Sequence, residues 1–184
     1  MRPAGCENGT VWPFRRARRL SAESFFATWF RPVVPEGHAS LDAFEAAITD
    51  EERERLPKTL GKLAMDGVER IYQVRRHDLS PDRDGLVFLD RLLDAEMREK
   101  LTRDQDPAHP RNLLRLVATE FGCIVGEIFV RAGKGAWAPQ RPPNLWRSRL
   151  LLKDGPYDPF LAVVRQLSDD REEGALVRRF DKAP

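Results

Sequence analysis

A chain of 184 residues that is 41% hydrophobic and 33% charged is long enough to bury one sizeable core and too short for two comfortable domains. Its 31 basic and 29 acidic side chains leave a formal charge of only +2, so no overall field commits it to nucleic acid or to a membrane surface. Two cysteines, Cys6 and Cys123, are too few for a disulfide framework and fit free thiols in a reducing, cytoplasmic setting.

Residues 1–37 read as an N-terminal arm, partly disordered, punctuated by Pro3, Pro13, Pro32 and Pro35. Within it only "ESFFATWF" has the make-up of a short apolar helix. The arginine cluster Arg15, Arg16, Arg18 and Arg19 resembles the start of an export signal, but Glu23 interrupts the apolar run such a signal needs, so export is not expected. A single globular domain is expected over 38–184, helical over 38–106 and helix, hairpin, helix over 107–184.

Leu41, Phe44 and Ile48 define one face of a short helix capped by Ser40, and Thr49 with Glu52 has the form of a capping box that restarts the chain. The helix that follows, from about 52 to 77, carries Leu56, Leu60, Leu63, Gly67, Ile71 and Val74 in one stripe. Ser80 and Pro81 are placed to open a third long helix, 81 to about 103, burying Leu86, Leu89, Leu93 and Met97. "DQDPAHP" is a linker. Pro110 then starts a helix to about Ala132 with Leu113, Leu116, Val117, Phe121, Ile124, Val125 and Ile128 inward, ended by Gly133 or Gly135.

Beyond it the period changes from helical to two. Trp146, Ser148, Leu150 and Leu152 alternate with Arg147, Arg149, Leu151 and Lys153 and run into an Asp-Gly turn, which predicts a strand with 136–139 as its partner. Asp158 and Pro159 open a helix bearing Phe160, Val163, Val164 and Leu167, and Leu176, Val177 and Phe180 mark a last one. The fold class is therefore α+β and predominantly helical, with a small antiparallel two- or three-stranded sheet near the C-terminus.

The least polar stretch, "EFGCIVGEIFVRAGKGAW" at 120–137, invites several readings. A membrane span needs about 20 nearly uncharged residues, and Glu120, Glu127 and Arg131 fall within twelve positions. A phosphate loop needs a strand before it, a helix after it and Ser or Thr after the lysine, whereas Gly135 follows Lys134 and the order is helix then strand. Gly122 and Gly126, four apart, instead suit close approach of another helix or the sheet, with Cys123 as apolar filler. His38, His77 and His109 lie singly, with no metal-ligand spacing, and no nucleophile motif is present, so neither a metal, a cofactor nor a catalytic residue is expected. Glu120 and Glu127, seven apart, can share a pocket, as can Asp90 and Asp94; Glu127 can pair with Arg131.

Charge is the most informative feature. Residues 41–106 hold 17 acidic against 12 basic side chains, a net −5, whereas 107–184 hold 13 basic against 9 acidic, a net +4. No acidic residue occurs between Glu127 and Asp154, while Arg131, Lys134, Arg141, Arg147, Arg149 and Lys153 do, beside Trp137 and Trp146. The candidate binding residues are Glu127, Arg131, Lys134, Trp137, Arg147 and Arg149.

The leading expectation is a non-enzymatic protein–protein interaction module of the accessory or toxin-immunity type. Its partner is another protein, and a homo-oligomer is compatible with the same split of charge. The first alternative is nucleic-acid binding through the basic, tryptophan-containing region 131–153, which ranks second because a near-neutral chain lacks the excess cationic charge that drives such affinity. The second alternative is an enzyme with a site around Glu120, Glu127 and Arg131.

Over about residues 110–180 the helix with "GEIF", the tryptophan, the leucine-rich strand and "YDPFLAVVRQL" together resemble a loose group of uncharacterised bacterial proteins. These share a Leu-Gly-Glu-like helix core, a Trp-containing hairpin and a Pro-Phe-started helix. Val125-Gly126-Glu127 stands at the Leu-Gly-Glu position, and the resemblance implies a bacterial origin.

Overall fold

A computed structural model describes residues 20–109, 111–139, 142 and 144–184. Cys6, Arg141 and the arginines of the N-terminal cluster lie outside the described residues. Within them the fold is mostly helical, with eight α-helices and one antiparallel sheet of order β1-β2-β3.

The N-terminal half follows its caps. Ser21 opens α1 (Ala22–Trp29), Ser40 opens α2 (Leu41–Ala47) and Thr49 opens α3 (Asp50–Arg75), where Thr49 and Glu52 exchange both bonds of a capping box. The core takes in Ala22, Phe25 and Phe30, all from the stretch expected to be an arm. In α3 the buried positions are Leu56, Leu60, Ala64, Gly67 and Ile71. Val74, expected in that stripe, is 72% exposed, because it lies in the last turn.

The long helix expected over 81–103 is two helices, α4 (Arg83–Leu92) and α5 (Ala95–Thr102). Asp82 rather than Ser80 caps the first. Leu93 leaves the helical region at φ −82°, ψ 85°, and Asp94 turns extended to accept the Met97 N–H, the local competition that makes aspartate a better cap than helix interior. Asp90 and Asp94 consequently form no pair. Asp90 is buried at the start of α8 (Ala175–Lys182), where its carboxylate accepts from Leu176 and Val177 N–H at 3.4 and 3.2 Å, serving a helix whose own cap residue, Gly174, brings no side chain.

Asn112 opens α6 (Leu113–Arg131), the axis of the molecule. It packs antiparallel to α3 on one side and against α7 (Pro159–Leu167) on another. Leu113 and Leu116, expected inside, are exposed, since Leu114, Val117, Ala118 and Phe121 set the buried phase. The helix ends as expected at Gly133, φ 69°, where Lys134 N–H reaches back to Phe129 C=O and Gly133 N–H to Val130 C=O.

The sheet comprises β1 (Gly135–Trp137), β2 (Leu150–Leu152) and β3 (Gly155–Tyr157). Trp137, Leu150 and Tyr157 form one cross-strand row facing the core, and Ala136, Leu151 and Pro156 form the outward row. Trp146 and Ser148 do not belong to β2. Residues Leu145–Arg147 coil into a 3₁₀ turn, in which Ser148 N–H bonds Leu145 C=O and so withdraws from any ladder.

Gly122 and Gly126 face different neighbours. A Cβ on Gly122 would overlap the Phe160 ring of α7, and one on Gly126 would overlap the Trp137 indole. Gly126→Ala gains about 1 kcal/mol of helix propensity against an overpacking cost of about 1–3 kcal/mol. Urea unfolding is therefore expected to show a net loss of stability, larger for Gly126→Val.

Burial raises the Asp90 carboxyl above its ordinary value, with the Val177 and Leu176 N–H groups and the charges of Arg178 and Arg171 pulling the other way. A raised folded value means the unfolded chain ionises first as pH rises, so this residue's contribution to stability falls on passing upward from the ordinary value of 3.8. In denaturant titrations at successive pH values, the stability of the natural chain relative to Asp90→Asn is expected to decline as pH rises through that window.

Candidate binding surfaces

The six candidate residues fall in three places. Glu127 and Arg131 line a groove on the helical side, Arg147 and Arg149 line a cleft over the sheet, and Lys134 and Trp137 are structural.

Trp137 is 7% exposed. Its ring lies against Gly126, which brings Nε1 to the neighbouring Glu127, and the indole N–H donates to Oε1 at 2.8 Å. Glu127 thus takes Trp137 as its partner, not Arg131. Lys134 donates to the Ala183 carbonyl at 2.5 Å and sits 5.0 Å from the Phe180 ring centroid, tying β1 to the end of α8. Glu120 and Glu127 do not share a pocket. Glu120 is 3% exposed and is held by the Arg70 guanidinium through two bonds, Nε at 2.7 Å and Nη2 at 2.9 Å, which also raises the Arg70 value.

The cleft, about 1220 Å³, opens before the outward face of the sheet and is bounded across from it by Phe26 of α1, Glu45 and Ile48 of the α2 segment, and Arg53 of α3. Leu151, Pro156, Ala138 and Trp146 give it an apolar surface, on which Leu151 is 50% exposed. Arg53 pairs with Asp50 at 3.2 Å. Among the described residues neither Arg147 nor Arg149 has a carboxylate within salt-bridge distance, although Arg149 and Asp158 feel one another and Asp158 caps α7 with its carboxyl raised by burial. The connection from α1 to α2 is pinned at Val33, whose N–H and C=O both bond the Asn144 amide, at 3.2 and 2.9 Å.

Trp146 is half-buried on the cleft wall, edge-on to Phe30 at 6.1 Å and with the Arg115 guanidinium 5.1 Å from its ring. Arg115 is itself buried and donates to the Trp29 carbonyl from Nε and Nη2, at 3.1 and 2.8 Å; burial lowers its value. Trp146 Nε1 and Ser148 Oγ are buried without a hydrogen-bond partner among the described residues, so the 3₁₀ turn is less completely satisfied than its surroundings.

The groove, about 510 Å³, runs between α3 and α6 and is closed at one end by Leu79, Ser80 and Pro81. Its floor is Ala64, Val68, Ile124 and Ile128, and Met65, 67% exposed, stands on its edge. Asp66, Glu69, Glu127 and Arg131 supply the charges.

Among the described residues no three His, Cys, Asp or Glu side chains converge in a way that could hold a metal ion, and no helix is long and apolar enough to cross a membrane. The Cys123 thiol is raised by burial and then by the nearby Glu127 and Glu120 charges, the opposite of an activated nucleophile. Comparison of the chain with protein-family models, with curated proteins and with solved structures finds no match.

Sequence reasoning missed Arg53, Met65 and Leu151. Arg53 is one of many helix charges and Met65 lies off the apolar stripe of α3 without a mark of its own, whereas the alternation that groups Leu151 with Arg149 and Lys153 puts it on the outward face, without marking it as part of a site. Asn144 was also missed, because its work is to bond a segment 111 residues away.

Arg70→Ala is expected to cost about 2–3 kcal/mol in urea unfolding, since it leaves a buried carboxylate unpaired. Replacing both partners, Arg70→Met with Glu120→Leu, is expected to recover most of that loss.

Proposed function

We propose that the chain is a non-enzymatic protein-binding module whose cleft receives an acidic segment of a partner protein. The observation that carries this reading is the set of three guanidiniums, Arg53, Arg147 and Arg149, around an apolar surface that includes the half-exposed Leu151. Guanidinium forks suit carboxylates, and a solvent-facing leucine beside them suits an apolar side chain between acidic ones. The size supports a polypeptide over a small molecule, because 1220 Å³ exceeds the range of about 300–1,000 Å³ usual for small-ligand sites.

Protein is favoured over nucleic acid by what the tryptophans do. Base stacking needs a free ring face, whereas Trp137 is buried against Gly126 and Trp146 is packed on Phe30 and Arg115. A cytoplasmic setting and an accessory or immunity-type role are in keeping with a free, buried Cys123 thiol and a binding surface without a catalytic constellation.

The test is fluorescence anisotropy with labelled peptides that alternate Asp or Glu with Leu or Phe, set against charge-reversed peptides and single-stranded DNA. Acidic peptides are expected to bind, and the exposed double variant Arg147→Glu/Arg149→Glu to weaken them at least about tenfold, or 1.4 kcal/mol, with folding checked by circular dichroism. Preference for DNA, or affinity unchanged in the double variant, would overturn the proposal.

A further inference from the structure

The groove between α3 and α6 is separate from the cleft, and its chemistry is the reverse. Three carboxylates, Asp66, Glu69 and Glu127, line it against one cation, Arg131. Asp66 and Glu69 belong to a wider acidic stretch, since residues 41–106 carry a net −5. Between the charges lie Ala64, Val68, Leu79, Ile124 and Ile128, with Met65 largely in solvent. Methionine is the side chain best able to reshape itself around an apolar guest.

The walls also limit the guest's backbone. Both sides of the groove are α-helices whose N–H and C=O groups are already bonded within the helix, and the sheet does not contribute to its lining. An extended peptide laid there would find no strand edge to pair with and would leave its own polar groups unsatisfied over an apolar floor. A helix brings its backbone bonds with it. Two antiparallel helices with a furrow between them offer ridges into which a third can pack.

We infer that this groove is a docking site for a basic amphipathic helix of a partner protein, its apolar stripe on Met65 and Val68 above a floor of the already buried Ile124 and Ile128, and its lysines or arginines against Asp66 and Glu69. Charge decides the sign of the guest and backbone satisfaction decides its conformation. Glu127 contributes less than the other two carboxylates, because its Oε1 already accepts from Trp137. Asp66 and Glu69 are exposed, and among the described residues Glu69 accepts from Gln73 of its own helix at 2.7 Å.

The test uses the full chain and a synthetic peptide of about 15 residues, four helical turns, with Leu at i, i+3, i+4 and i+7 spacing and Lys or Arg elsewhere. Anisotropy at about 0.15 M salt, where long-range attraction is largely screened, measures affinity, and circular dichroism measures helix gained on mixing. Saturable binding with a rise in helicity is expected. The variant Asp66→Lys/Glu69→Lys should weaken it at least about tenfold, and Arg131→Glu should strengthen it by about two- to fivefold, a gain that a purely structural role for Arg131 would not produce. The inference is overturned if a proline-interrupted peptide of the same composition binds equally well, if an acidic helix binds equally well, or if the charge variants leave affinity unchanged. It is also overturned if the basic helix fails to bind, or if a second copy of the chain occupies the groove, seen as self-association that Asp66→Lys/Glu69→Lys abolishes. The cleft is tested by acidic peptides and by Arg147→Glu/Arg149→Glu, so failure at one surface leaves the other standing.

Discussion

A helix buried on most of its surface must give every polar group it carries a partner, and α6, with fourteen of its 19 residues buried, sets that demand for the whole molecule. Arg115 is answered by the Trp29 carbonyl, Thr119 by the Arg115 carbonyl one turn back, Glu120 by Arg70, and Glu127 by Trp137. Thr119 is answered within α6, and the other three answers each fix a different neighbour. Arg115 holds the end of α1, Arg70 holds α3, and Trp137 holds β1. An unmet buried charge costs more than its pairing yields, so these contacts act mainly by making any other arrangement expensive.

The same burial explains how close the neighbours come. With no side chain at Gly122 and Gly126, an aromatic ring can sit directly on the helix backbone, Phe160 on one position and Trp137 on the next turn. The two rings lie 6.2 Å apart between centroids and bring α7 and β1 onto one side of the helix. That leaves the opposite side to α3, whose Gly67 lets it approach Glu120 and Ile124. The groove runs along this α3–α6 contact, with Glu127 and Arg131 in its lining.

Local chemistry made much of this legible in the sequence. Ser40, the Thr49 and Glu52 box, Asp158 with Pro159, and the glycine after α6 each act within a few residues, and each element begins or ends where they stand. What could not be read was whatever depends on distant chain. An aspartate at position 94 is compatible with a continuous helix or with a break, and tertiary packing of Leu93 chooses the break. Trp146 and Ser148 fit a strand by alternation, yet the turn that carries them is fixed by contacts to Phe30 and Arg115. The site residues were legible as types and not as places. Charge spacing picked out Arg147, Arg149, Glu127 and Arg131, whereas their division between two surfaces follows from which side of α6 and of the sheet each one meets.

That division has a mechanical consequence. Glu127 lines the groove, Trp137 is its hydrogen-bond partner, and the residue after Trp137, Ala138, lines the cleft and donates its N–H to the Arg149 carbonyl at 2.8 Å. One hydrogen bond and one backbone step therefore separate the acidic surface from the basic one. β1 is short, and its ring end is held against α6, so a shift of this strand would move a wall of each surface. At the far edge of the sheet, Pro156 has no N–H to offer an incoming strand, which weakens the β3 edge as a template for strand pairing. The two surfaces of opposite charge are thus joined through the Glu127–Trp137 hydrogen bond and the backbone step to Ala138, so a change at that bond reaches the walls of both.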